Sequence, residues 1–297
     1  MLIESDLLDL AKCRYGTMAF FKNDNVIGRA LKLYGEWAEH EINCISELVS
    51  EDSIVFDVGA NVGTHTMALA RMAAKGAVYS FEAQPDMSTI LEFNILLNSL
   101  GNVHSLRAVC ADKAGSIPIK ISYSGSGNFG AFRIDDIPKR KKILSIWPFS
   151  RRQVFDEVVK IRLDDMLDVV PKVDFIKIDI EGMELQAIKG AAGLIKRYRP
   201  AVFFEQLDLN DLQERINFFE RLNYTVYWLE THPFNKKNYR TNPDNIWWKS
   251  EMGLLAIPPG SRKPRNLRVA RPFQTSIPTE IDVRTGWDGS TSCALFL

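Results

Sequence analysis

The chain lacks a charge excess of either sign: 37 Lys plus Arg face 37 Asp plus Glu among 297 residues. Proteins that grip phosphate backbones carry a basic surplus, so nucleic acid is a poor candidate partner. Cysteine is scarce, and Cys13, Cys44, Cys110 and Cys293 stand apart with no C-x-x-C pair or metal-ligand spacing. They read as idle thiols of a reducing compartment. No stretch approaches the ~20 apolar residues of a membrane span. The opening MLIESDLLDLAKCR has acids where a signal peptide has bases, and Cys293 stands one position too early for a prenylation box. The expectation is a soluble, cytoplasmic chain, with oligomeric state left open. Missing too is the G-x-G-x-x-G run that seats a dinucleotide pyrophosphate.

What is present is a core-sized apolar content, 46% of residues, laid out as short apolar runs alternating with helical periods. Strands are expected at 54–58, 77–82, 103–109, 173–180, 201–205 and 224–229. Helices are expected at 64–74, 86–98, 183–197 and 209–222. This alternation predicts an α/β fold with a mostly parallel sheet covered on both faces. A last strand at 252–257 follows a loop with no helical period and is expected to return antiparallel. Three regions lie outside that pattern: a helical and hairpin lead-in over 1–50, a Gly/Ser-rich and basic insertion over about 115–160, and a Pro/Ser/Thr-rich stretch over 259–297 read as a flexible tail.

The chemistry gathers at strand ends. Asp57-Val58-Gly59-Ala60-Asn61-Val62-Gly63 lies between a strand and a helix. Gly59 permits the tight turn and close ligand approach, and Gly63 lets the helix start pack against the strand. Asn61 stands where a dinucleotide site has its second glycine, and Asp57 precedes the turn, which suits an amino-bearing ligand better than a diphosphate. Glu82 closes the next strand and can accept both hydroxyls of an adenosine ribose. These residues together point to S-adenosylmethionine. On this reading Gly59→Val and Glu82→Ala are expected to remove donor binding from a folded protein.

In an open α/β sheet, ligands bind beyond the carboxyl ends of the strands. Asp57, Glu82, Asp179 and Glu205 are all expected there, so they should converge on one crevice. Methyl transfer to a hydroxyl needs a group that takes its proton. Asp179 is the first candidate base and His232 the second. Glu181, Glu205 and His65 are expected to face the acceptor. The carboxylates leave room for a divalent metal, but no His-rich or closely spaced ligand set calls for one.

FDVGANVGTHT, FEAQP with LEFNILLN, and IKIDIEGMELQAIKGA followed by RPAVFFE resemble, in order and spacing, the FkbM-type methyltransferase family over roughly residues 51–207. NDNVIGRALKLYGEWAEHE and PFNKKNYRTNPDNIW resemble one bacterial branch of it. The resemblance implies a Rossmann-like class I methyltransferase fold, S-adenosylmethionine as donor, and O-methylation of a sugar, glycan or natural-product hydroxyl. It implies that Asp57, Gly59, Asn61, Gly63 and Glu82 hold the donor, that the block around Asp179 and Glu181 faces the acceptor, and that Tyr34, Glu36 and Trp37 close over the donor. The competing readings are a non-catalytic cofactor-binding module and a nicotinamide-dependent oxidoreductase; the intact acids argue against the first and the missing glycine against the second. The stretch KRKKILSIWPFSRR at 139–152 departs from the family pattern. Its cations and aromatic residues make it a candidate for peripheral contact with an anionic bilayer, against the alternative of a solvated loop.

Overall fold

A computed structural model describes residues 5–121, 154–206, 211–247, 250–264 and 267–270. The basic insertion at 139–152 and the stretch beyond 270 lie outside the described residues. Strands β3 (Ile54–Val58), β4 (Ala77–Phe81), β5 (Val103–Leu106), β9 (Phe175–Ile178) and β10 (Ala201–Glu205) form the parallel part of an eight-stranded sheet. Strand β12 (Glu251–Ile257) inserts antiparallel between β10 and β11 (Thr225–Thr231), as the sequence pattern leads one to expect of the last strand. The full order is β13-β11-β12-β10-β9-β3-β4-β5. Its edge strand β13 (Arg268–Val269) pairs with β11, so part of the stretch read as a tail is tied to the sheet by backbone hydrogen bonds.

Neighbouring residues on the central strands point to opposite faces. Val55, Phe175 and Phe203 enter one apolar cluster, and Phe56, Ile176 and Phe204 the other. The first face is covered by the lead-in, α3 (Thr64–Met72) and α4 (Pro85–Leu97); the second is covered by α5 (Glu184–Gly190), α6 (Ala192–Tyr198) and α7 (Leu212–Arg221). Burial on both faces explains why these strands read as continuous apolar runs.

Three departures from the sequence pattern have local causes. The helix expected over 183–197 is two, because the Asp164 carboxylate accepts the backbone N–H groups of Gly193 and Leu194 and starts α6 afresh. The strand expected over 103–109 breaks after Leu106, and β6 (Ala108–Cys110) joins a separate small sheet. That sheet, ordered β6-β8-β7, is built from the insertion itself: β7 (Gly115–Ile121) and β8 (Val154–Ile161) take the place of a crossover helix. Among the described residues, no helix is long and apolar enough to cross a membrane.

The lead-in is a hairpin, β1 (Leu8–Cys13) with β2 (Gly16–Phe21), followed by α1 (Ile27–Tyr34) and α2 (Glu39–Ser46). It is bound to the body by amide side chains acting as a surrogate strand. Fully buried Asn94 of α4 accepts from Ala19 N at 2.7 Å and donates to Ala19 O at 3.0 Å and Val62 O at 2.8 Å. One turn later, Asn98 makes the equivalent pair with Thr17 N and O. Asn94→Leu leaves three buried backbone groups unpaired, each costing about 1–3 kcal/mol. We expect a loss of roughly 3–5 kcal/mol in chemical denaturation, with faster amide exchange at Thr17–Phe21 in the folded state.

Candidate active site

A cavity of about 600 Å³ opens beyond the carboxyl ends of β3, β4, β9 and β10. Gly59, Asn61, Glu82, Asp179 and Glu205 line it, so three of the four strand-end acids converge as the topology requires. The lead-in supplies a second wall through Val26, Ile27, Trp37, Ala38 and Glu41, and Trp247, Ser250 and Glu251 supply a third.

The glycine turn is held from both sides. The N–H groups of Gly59 and Ala60 donate to Phe81 O at 2.9 and 3.0 Å. Gly59 has φ +86°, and a Cβ there would lie 1.7 Å from the Asp179 carbonyl oxygen. Gly59→Val therefore cannot be accommodated without moving the end of β9, which corrects the expectation of a folded, binding-dead variant. Gly63, φ +95°, caps α3 behind the turn, where a Cβ would meet Leu91 at 2.8 Å. Asn61 sits at φ +50° and caps locally, its Oδ1 accepting from Val62 N.

Glu82 is aimed into the turn by two backbone donors. Asn61 N donates to Oε2 and Gln84 N to Oε1, both at 2.7 Å. Burial nonetheless pushes its carboxyl up to about 7.

Asp57 is not among the cavity-lining side chains, contrary to its expected place beside the ligand. On β3 it alternates with Phe56 and Val58, so it points under the face covered by α3, where Thr66 Oγ1 donates to it at 2.6 Å. Lys177 is its register partner on β9 and is equally buried. The Lys177 ammonium reaches Asp179 Oδ2 at 2.8 Å and is surrounded by the charges of Asp179, Asp57 and Glu41. Burial disfavours its charge, but those three carboxylates outweigh burial and raise its pKa. For Asp179, burial acts upward, and the Lys177 ammonium overrides it and holds the carboxyl below the usual range. Glu205 hydrogen-bonds Asp179; burial, then the Asp179 and Glu181 carboxylates, push its carboxyl well above the usual range. The two carboxyls of this pair are thus shifted in opposite directions, Asp179 downward and Glu205 upward.

Glu181 lines the cavity on a left-handed pair, φ +49° at Glu181 and +96° at Gly182. Glu184 fixes that turn by accepting from Gly182 N at 3.0 Å, and buried Arg215 holds Glu184 at 3.0 Å. His65 also lines the cavity, its Nε2 3.0 Å from Glu41 Oε1.

The remaining expectations divide. Trp37 is in the wall, its ring edge-to-face with Trp247 at 5.5 Å. Tyr34 and Glu36 stand behind it. The Tyr34 hydroxyl donates to Asp244 O and accepts from Ile246 N, while Glu36 binds Arg14, Asn235 and Tyr239 N. Both are clamps on the 235–246 loop, because a buried hydroxyl or carboxylate must spend its hydrogen bonds where partners exist. His232 is buried and stacked on His40 at 5.8 Å, while its neighbours Thr231 and Pro233 face the cavity; alternation along the strand end turns it away from the role of base. Sequence reasoning missed Glu41, Trp247 and Glu251. Only the two branch-like segments, which contain Glu41 and Trp247, carried any signal for them. Among the described residues, no group of three or more His, Cys, Asp or Glu is arranged to hold a metal ion.

Residues 57–226 match the model of the Methyltransferase FkbM domain, and the chain belongs to that family. It is 29% identical over 168 residues to "Methyltransferase sdnD" of Sordaria araneosa, a match covering 49% of this chain and 62% of that protein. It is 27% identical over 176 residues to "Hexuronic acid methyltransferase AglP" of Haloferax volcanii, covering 57% and 62%. The chain thus spans about six tenths of the length of these curated relatives. Among solved structures, it is similar to a methyltransferase FkbM from Methylobacillus flagellatus KT, with 19% identity, a TM-score of 0.44, and coverage of 70% of this chain and 44% of that one.

The upward shift of the Glu205 carboxyl carries a sign that can be checked. A carboxyl raised in the folded state contributes stability that is full below the ordinary glutamate value of 4.5 and is lost as pH rises through the folded value. Glu205→Gln keeps a donor to Asp179 and has no proton to lose. Its melting temperature should match wild type near pH 4.5 and exceed it at pH 8.

Proposed function

We propose that the chain transfers the methyl group of S-adenosylmethionine to a hydroxyl of a neutral sugar, glycan or natural product. The observation that carries the donor is Glu82. Its carboxylate stands at the end of β4 beside the Gly59 turn, with each oxygen oriented by one backbone N–H. Each oxygen keeps lone-pair capacity for one hydroxyl of a ribose diol. Asn61 in place of a second glycine, and the acids around the turn, favour an amino-bearing donor without phosphate over a dinucleotide.

The acceptor reading rests on the walls supplied by the lead-in and the 247–251 segment. Trp37 and Trp247 offer the flat apolar surface on which the C–H face of a sugar or an aglycone ring packs. Glu41, Glu181 and Glu251 line the same cavity. The Lys177 ammonium is already committed to Asp179. An anionic acceptor would bring a further negative charge to a wall that already carries these three carboxylates. A neutral acceptor therefore fits better than the hexuronic acid in the name of the haloarchaeal relative. Burial, closure by the lead-in and alignment of the two reactants are what such a transfer needs from the protein.

Donor binding should depend on pH through Glu82. The ionised carboxylate accepts both ribose hydroxyls, and the protonated form loses one acceptor position. With the carboxyl pushed up to about 7, affinity should improve as pH rises, by roughly tenfold between pH 6 and pH 8. Titration calorimetry with S-adenosylmethionine tests this, and Glu82→Gln should bind weakly without that pH term. The donor's own amino group titrates in both proteins and cancels from the comparison. A parallel titration with NAD should give no heat. A screen with tritiated methyl donor should label neutral glycosides ahead of uronates; labelling of uronates alone would reverse the acceptor reading.

A further inference from the structure

Transfer to a hydroxyl requires a base, and the geometry removes the residue that the sequence nominates. Asp179 receives the Lys177 ammonium at 2.8 Å and a hydrogen bond from Glu205. A carboxylate so compensated has little tendency to accept a further proton. Of the four histidines, His40 and His232 stack on each other and His104 stacks on Tyr79; none of the three lines the cavity. His65 does. It lies in the first turn of α3, directly after the glycine turn, and is 6% exposed. Its Nε2 is 3.0 Å from Oε1 of Glu41, which α2 brings over from the lead-in and which is 7% exposed.

On this donor reading of the cavity, we propose that His65 is the general base of the methyl transfer and Glu41 the residue that positions it. With the Glu41 carboxylate 3.0 Å away, a proton is favoured on Nε2 by charge proximity, which leaves the Nδ1 lone pair to act. As the acceptor oxygen bonds to the methyl carbon, the carbon–sulfur bond pair returns to sulfur and S-adenosylhomocysteine leaves. The hydroxyl proton passes to Nδ1, and the resulting imidazolium is balanced by Glu41. Asp179, which follows β9, also faces this ring. Lys177 on β9 and Asp57 on β3 lie behind it, with Glu205 on the far side of Asp179. The cluster therefore offers a new positive charge two near carboxylates and one competing ammonium.

Nitrogen-15 spectra of histidine-labelled protein saturated with S-adenosylhomocysteine read the tautomer without any acceptor. The expected result is a neutral His65 ring protonated on Nε2, with that preference lost in Glu41→Gln. With an acceptor from the tritium screen, His65→Gln should lower kcat by about a hundredfold or more. Its donor Kd should stay within threefold, its melting temperature should be unchanged, and the acid limb of the kcat profile should disappear. Glu41→Gln should lower kcat less, roughly tenfold. An Nδ1-protonated ring, undiminished turnover in His65→Gln, or donor affinity falling in step with turnover would each overturn the assignment, the last by making His65 a donor contact. Absence of S-adenosylhomocysteine binding to the wild type would instead overturn the donor reading beneath it.

Discussion

The buried ammonium of Lys177 is the interaction on which the site depends. A cation nine-tenths or more removed from water costs several kcal/mol unless compensated, and here compensation arrives from three separate parts of the chain. Asp57 comes from the neighbouring strand, Asp179 from the end of its own strand, and Glu41 from the lead-in. The charge thereby ties β3 to β9 and makes the lead-in part of the site rather than an appendage. It also sets the protonation of everything beyond it. It favours the ionised form of Asp179, whose charge in turn pushes the Glu205 carboxyl upward. Two carboxyls at one sheet end are shifted in opposite directions because only one of them bonds the lysine.

The lead-in is attached by directional bonds as well as by charge. Asn94 reaches both the hairpin at Ala19 and the glycine turn at Val62, so the wall that carries Trp37 and Glu41 is indexed to the loop that carries Gly59 and Asn61. A purely apolar contact would allow the hairpin to slide, whereas paired donors and acceptors fix a register. Arg14, Glu36 and Asn235 do the same on the other side, bonding the hairpin to the 235–246 loop.

The strand ends were legible because their signal is local: an apolar run, then an acid or glycine, then a helical period. That sufficed to place Gly59, Glu82, Asp179 and Glu205 around one cavity. Side-chain direction was less accessible. Asp57 looked like a ligand contact by its position in the motif, yet period-two alternation on a strand buried on both faces sends it under α3. Tyr34, Glu36 and His232 lie next to wall residues in sequence, and neighbouring side chains on an element need not share a face. The small sheet escaped notice because β7 and β8 are separated by a long stretch, and pairing at that distance leaves no periodic trace within either strand.

Glu41, Trp37, Trp247 and Glu251 line the cavity from outside the glycine-turn and strand-end motifs. That division has a physical basis. The donor side must reproduce one fixed chemical object, so turn, cap and strand-end acid recur at set spacings. On the proposed reading, the acceptor side must match whatever compound a given chain encounters, and the lead-in and the loop before β12, whose backbones are not constrained by the parallel sheet, supply its walls. His65 stands where the two meet. It belongs to the helix that the glycine turn launches, and its partner belongs to the variable wall. On the proposed reading, a base placed at that junction keeps its position relative to the methyl group while the group that orients it is drawn from the lead-in wall.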